Sequence, residues 1–278
     1  MNHHETKWKS HDGLDAFAEV WEPVAVAPRA VVCLVHGLGE HTSRYVHVAG
    51  AFAKEGFVLA GADLRGHGRS GGARGHLASA EDFLKDIDLL LTQVRSRYPG
   101  LPLLLYGHSL GGILVLYYVL KRNPDIKGAV VTSPGLHTAL ERQPVKMMMA
   151  RVLGSLMPGV SMPSGLETGG LSRDPAVVQA YLNDPLVHDR ISLGFGKIML
   201  GVIQWTLAHA GEFPLPLLLM HGKNDTIAFP SGSIEVAAAV KERATLLLWE
   251  DGCHELHNEP EKAEVFKTMT MWMDARLR

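Results

Sequence analysis

Cysteine is scarce in this chain: 278 residues carry two, Cys33 and Cys253. Two cysteines cannot build a disulfide framework, which suits a reducing compartment or indifference to redox state. An excess of one charge sign is also missing. The 27 basic and 29 acidic residues leave a formal net charge of −2, and no long basic run appears, so the electrostatic footprint of a nucleic-acid-binding protein is absent. The opening residues, MNHHETKWKSHDG, lack the apolar stretch of a secretory signal, and a cytoplasmic location is expected. Internal repeats and low-complexity tracts are not found. A hydrophobic fraction of 46% with 20% charged residues is that of a globular chain with a sizeable core, and α/β folds of this length often form one unit.

One apolar run has the length of a membrane span, Leu101 to Leu120, LPLLLYGHSLGGILVLYYVL. Its middle argues otherwise, because Gly107, His108, Ser109, Gly111 and Gly112 sit together there. Small residues let a strand turn sharply into a helix. The run therefore divides into a buried strand, a tight turn and a helix, and Gly107 to Gly111 fits G-x-S-x-G, the nucleophile elbow.

The remaining order of elements predicts a parallel sheet covered on both faces. Residues 5–22 read as a hairpin turning at His11-Asp12-Gly13. Ala30 to Val35 is a doubly buried strand; it ends in the loop His36 to His41, with a helix from about Ser43 to Glu55. Phe57 to Ala62 is the next strand, and a helix with an apolar stripe at Phe83, Leu84, Ile87, Leu90, Leu91 and Val94 starts near Ser79 and stops before Pro99. Lys127 to Thr132 is a further strand. After Pro214 come a strand ending at Gly222, a helix over 232–242, a strand over Ala244 to Trp249 and a last helix over 260–277.

Between these halves the pattern changes. Residues 134–213 are broken by proline and show no strand pattern, with Met-rich and apolar helical stretches over 145–157 and 196–210. They read as a helical cap or lid inserted into a hydrolase-like core of 1–133 and 214–278, shaping an acyl pocket. The cap is a candidate surface for membrane contact.

One motif misleads. Gly66, Gly68 and Gly71 satisfy G-x-G-x-x-G with Asp86 downstream, the outline of a dinucleotide site. The helix should open inside that motif and the acid should end a strand, yet this helix starts later and Asp86 lies within it.

A serine hydroxyl needs a base, and the base needs an orienting group. In an α/β-hydrolase they follow the serine in the order acid, then histidine, at later strand exits. Asp225 is the acid by that rule; Asp251 competes but sits on the same loop as the histidine. His254 is the base, since His221 precedes the acid. His254-Glu255-Leu256-His257 is one residue short of the zinc motif H-E-x-x-H. The backbone N–H groups of Leu38 and Leu110 are the expected oxyanion donors. Neither a metal nor an organic cofactor is required, and the expected partner is a small ester or lipid.

With these pieces in place, the chain resembles the monoacylglycerol lipase and lysophospholipase group of α/β-hydrolases. The resemblance rests on HGLGEHTSRY at 36–45, DLRGHGRSGG at 63–72, GHSLGG at 107–112, HGKND at 221–225 and HELHNE at 254–259. It implies an α/β-hydrolase fold, the catalytic positions Ser109, Asp225 and His254, and oxyanion donors at Leu38 and Leu110. It further implies that Glu40, Arg44 and His257 hold the glycerol head of a monoacylglycerol; an ion pair or loop network is the competing reading of these three. Ester hydrolysis through an acyl-Ser109 is the expected reaction, on monoacylglycerols or short- to medium-chain esters, with lysophospholipid as a neighbour. Peptide cleavage on the same scaffold is the rival. Epoxide or haloalkane cleavage normally needs Asp at the elbow.

Overall fold

The computed structural model describes residues 1–139, 148 and 152–277. Eight strands form one sheet in the order β1-β2-β4-β3-β5-β6-β9-β10. The first two, β1 (Asn2–Lys9) and β2 (Asp15–Glu22), are antiparallel. The others run parallel: β3 (Ala30–Val35), β4 (Phe57–Ala62), β5 (Leu103–His108), β6 (Ala129–Thr132), β9 (Leu217–Gly222) and β10 (Ala244–Trp249). This is the α/β-hydrolase architecture expected from the sequence.

The central strands are apolar throughout because both faces are covered. In β3, Val31, Cys33 and Val35 enter one core while Ala30, Val32 and Leu34 enter the other, the two-residue alternation of a strand. The helices α2 (Ala80–Arg97), α3 (Leu110–Arg122) and α6 (Pro230–Val240) cover the first face; α1 (Val46–Lys54) and α7 (Lys262–Asp274) cover the second. The start of α2 is fixed by Ser79, whose Oγ accepts Glu81 N–H while its own N–H donates to Asp82. All six stripe residues of that helix are buried.

Asp86 on α2 is held by the Arg65 guanidinium at 2.6 Å. It anchors the glycine-rich loop after β4. Asp63 organises the same loop, accepting Thr42 N–H and Arg69 N–H, each at 2.8 Å.

The insertion between β6 and β9 corrects one expectation. It contains a two-stranded antiparallel ribbon, β7 (Ser161–Pro163) with β8 (Arg190–Ser192). Strands of three residues are too short to show a period, and their pairing joins segments far apart in sequence. The insertion also holds α4 (Pro175–Asn183) and α5 (Leu193–His209). Of the helix expected over 145–157, residues 148 and 152–156 are helical, and 145–147 and 149–151 lie outside the described residues.

Candidate active site

The site is built at the carboxyl ends of β3, β5, β9 and β10. Between β5 and α3, Ser109 takes φ 53° and ψ −114°, a conformation that non-glycine residues rarely adopt. The turn is that tight because main chain crowds it on both sides. A Cβ on Gly107 would stand 2.4 Å from Gly111 O, and one on Gly111 would stand 1.9 Å from Val35 O. The two flanking glycines are therefore steric necessities. Ser109 N–H donates to Thr132 O at 3.0 Å, fixing the elbow to β6.

The structure brings Ser109, His254 and Asp225 together from three loops. His254 Nε2 is 2.9 Å from Ser109 Oγ, and His254 Nδ1 is 2.7 Å from Asp225 Oδ2. Asp225 Oδ1 accepts the N–H groups of Ile227 and Ala228, both at 2.9 Å. Asp251, the rival acid, is exposed, whereas Asp225 is buried.

Burial alone would raise the Asp225 pKa, but His254 and His221 outweigh it and hold the carboxyl well below the usual carboxylate range. For His254 burial pulls downward, and the Asp225 carboxylate more than offsets it, so its pKa is raised. His221 has a role the sequence order concealed. Its Nε2 lies 3.1 Å from Asp225 Oδ2 and its Nδ1 lies 2.7 Å from Ser233 Oγ. It sits behind the acid, where the order rule does not look.

Leu38 and Leu110 both border the cavity beside Ser109. Leu110 opens α3, so its N–H is one of the donors that a helix leaves free at its positive end. The Gly37 N–H beside Leu38 is already engaged, donating to Glu40 Oε1 at 2.6 Å.

Glu40, Arg44 and His257 join a buried network. Glu40 accepts from Tyr45 Oη at 2.7 Å and Arg44 at 2.6 Å, and Arg44 grips Glu255 with two hydrogen bonds of 2.7 and 2.8 Å. Burial would raise the Glu40 pKa, but Arg44 more than offsets it and keeps the carboxyl ionised. Of the three, Glu40 borders the cavity, as does Glu255. His257 lies behind them, fully buried, stacked on Tyr45 with ring centroids 4.8 Å apart, and neither ring nitrogen has a partner among the described residues.

The cavity has a volume of about 220 Å³, and apolar side chains make up much of its wall. Ile113 comes from the core, while Leu166, Leu171, Tyr181, Phe195, Met199 and Ile203 come from the insertion. Tyr181 and Glu255 were missed by sequence reasoning. Glu255 stood unweighted inside HELHNE, and nothing in the proline-broken insertion marked Tyr181. As for metals, the one trio of ligating side chains within mutual reach among the described residues is His3, Glu5 and Glu19, on β1 and β2. Arg69 already pairs with Glu5 there at 3.2 Å.

The arrangement has the parts of an acyl-transfer site: a nucleophile, a base, an orienting carboxylate and a lined pocket. Comparison with known proteins agrees. Over 267 residues the chain is 35% identical to a monoacylglycerol lipase of Mycolicibacterium smegmatis, covering 95% of each. It is 40% identical over 260 residues to an uncharacterized abhydrolase domain-containing protein of Dictyostelium discoideum, which covers 92% of this chain but only 27% of that longer one. The crystal structure of a Paleococcus ferrophilus monoacylglycerol lipase superimposes with a TM-score of 0.86 at 33% identity, over 94% of this chain and 99% of the other. Residues 26–261 match the family described as serine aminopeptidase, S33. The chain belongs to that family of α/β-hydrolases, in the group that includes the monoacylglycerol lipases.

Proposed function

We propose that this protein is a serine hydrolase of carboxylic esters, with monoacylglycerols as its preferred class. The observation that carries this reading is the His254 imidazole held between Ser109 and Asp225 at 2.9 and 2.7 Å. His254 takes the Ser109 proton as Oγ attacks the ester carbonyl, and the Leu38 and Leu110 N–H groups stabilise the oxyanion. Collapse of the tetrahedral intermediate breaks the ester bond, and His254 gives its proton to the departing alcohol. The acyl-Ser109 is then cleaved by a water that His254 deprotonates. Asp225 holds the imidazole tautomer and stabilises the imidazolium. No step calls for a metal or an organic cofactor.

The acyl chain lies in the apolar pocket, which the cap over 134–213 closes against the core of 1–133 and 214–278. For the alcohol we assign direct contact to Glu40, whose carboxylate can accept from a glycerol hydroxyl. Arg44 holds Glu40 and Glu255 in place, and His257 supports them from behind through Tyr45. A lipid surface suits the cap, where Val152, Leu156, Met157 and Val160 are exposed. Among the described residues no helix is long and apolar enough to cross a membrane. Two unpaired cysteines fit a reducing compartment, and we assign the protein to the cytoplasm.

The test is a series of p-nitrophenyl esters of rising chain length beside monoacylglycerol, with native protein and Ser109→Ala. Native turnover is expected to depend on chain length and to fall to near background in the variant. Equal turnover by both would remove Ser109 from the mechanism.

A further inference from the structure

The insertion meets the loop that carries His254 along one short segment, Gly170 to Arg173. His254 N–H donates to Gly170 O at 3.2 Å, and Glu255 N–H donates to Leu171 O at 2.8 Å. Ser172 Oγ donates to Asn258 O at 3.0 Å. The same segment touches the loop of the acid, since a Cβ on Gly170 would stand 2.6 Å from Thr226 Oγ1.

Glu259 ties the contact together. Its side chain is 2% exposed, and its carboxylate accepts Arg173 N–H at 3.1 Å, Arg173 Nε–H at 2.6 Å and Cys253 N–H at 3.4 Å. Arg173 is its only cationic partner among the described residues, and Arg173 reaches on to Glu261. One carboxylate thus joins the residue before His254 to the insertion.

Building on the serine-hydrolase reading above, we propose that Glu259 and Arg173 are positioning residues for His254, and that Gly170 to Arg173 forms a strap holding its imidazole between Ser109 and Asp225. The physical need is clear. His254 must keep two hydrogen bonds at once, yet it sits in a stretch without helix or strand, whose main chain has no ladder of its own to fix it. Bonds to Gly170 O, Leu171 O and the Glu259 carboxylate supply that restraint. Stripping Arg173 of its charge leaves Glu259 buried and unpaired, a costly state that the loop relieves by moving. A shift of about 1 Å at a reacting group can lower a rate on the order of a hundredfold. The element that shapes the acyl pocket therefore also sets the placement of the base.

The variants are Arg173→Met, which keeps the aliphatic stem, Glu259→Gln, Arg173→Lys and, as control, Asp184→Ala. The last loosens the insertion at a separate bond, Asp184 Oδ2 to His41 Nε2 at 2.8 Å. Each is followed by kcat and KM on p-nitrophenyl butyrate, by the rate of Ser109 labelling with a fluorophosphonate, and by thermal unfolding. Arg173→Met and Glu259→Gln should lower kcat and the labelling rate by about ten- to a hundredfold with KM little changed. Arg173→Lys should recover most of that loss, and Asp184→Ala should stay close to native. Should either charge-stripped variant fail to fold, Ser172→Ala removes one hydroxyl bond of the strap and should cost about two- to tenfold. Native labelling rates in the strap variants, or an equal loss in Asp184→Ala, would overturn the strap while leaving the hydrolase reading intact. Native protein that resists labelling at Ser109 would overturn the hydrolase reading, and the strap with it.

Discussion

His254 and His257 lie on one loop, three residues apart and both buried, at 3% and 0% exposure. Their surroundings drive protonation in opposite directions. His254 faces the Asp225 carboxylate, which raises its pKa despite burial. His257 faces aromatic rings and other imidazoles, and burial, followed by its histidine neighbours, pushes its pKa well below the usual value. His108, between them at 4.9 Å and 4.8 Å, is likewise pushed down to about 4 by burial and next by His254. Burial alone thus does not make a base. What separates the two is chiefly the Asp225 carboxylate against the first ring, which offsets the desolvation cost of its imidazolium.

The sharpest way to break this contrast is to remove the anion. Asp225→Asn keeps the shape and deletes the charge, and should lower kcat by about 10³- to 10⁴-fold, the scale known for the equivalent change in a serine protease. Steady-state kinetics on a p-nitrophenyl ester measures it, and a loss below tenfold would separate Asp225 from the reaction.

A smaller effect comes from pH. The proposed mechanism needs neutral His254 in the free enzyme, so kcat/KM should fall about tenfold per pH unit on the acid side. Because Asp225 raises the His254 pKa, the midpoint of that limb should lie above the ordinary histidine value of about 6.5. A midpoint at or below that value would contradict the assigned field of Asp225. The same shift acts on folding: a raised pKa stabilises the native state at low pH, and the benefit is lost as pH rises through the native-state value.

The smallest effect belongs to His257, and its sign is opposite. Its native pKa is depressed, so the unfolded chain binds more protons once the pH falls below about 6.5, and stability falls with further acidification. One such group contributes at most about 1.4 kcal/mol per pH unit. His257→Phe keeps a stacking ring on Tyr45 and removes the titration. Its unfolding temperature should decline less steeply between pH 6.5 and pH 5 than that of native protein. Identical slopes would mean that His257 is not held neutral.

Much of the fold was legible in the chain. The strands Ala30–Val35 and Phe57–Ala62 stand where the apolar runs place them, because a strand buried on both faces announces itself by continuous hydrophobicity; Ala244–Trp249 also stands where its apolar run places it, as a half-buried edge strand. The turn at Ser109 was legible for a different reason: glycines on either side are needed where main-chain atoms approach within contact distance. The ribbon of Ser161–Pro163 with Arg190–Ser192 was not, since three-residue strands carry no period. Nor was the reach of Arg44, whose ion pair with Glu255 spans more than two hundred residues.

The sequence by itself determined the parallel sheet, the sharp turn at Ser109 and the strand exits that carry Ser109, Asp225 and His254, because local sterics and hydrophobic periodicity act over a few residues. Only the tertiary structure decided which of the buried histidines is basic, which carboxylates border the cavity, and that the insertion is bound to the His254 loop through Arg173 and Glu259. Those outcomes depend on charges and hydrogen bonds between segments distant in sequence. Their strength is set by separation and solvent exclusion, and neither exists until the chain has folded.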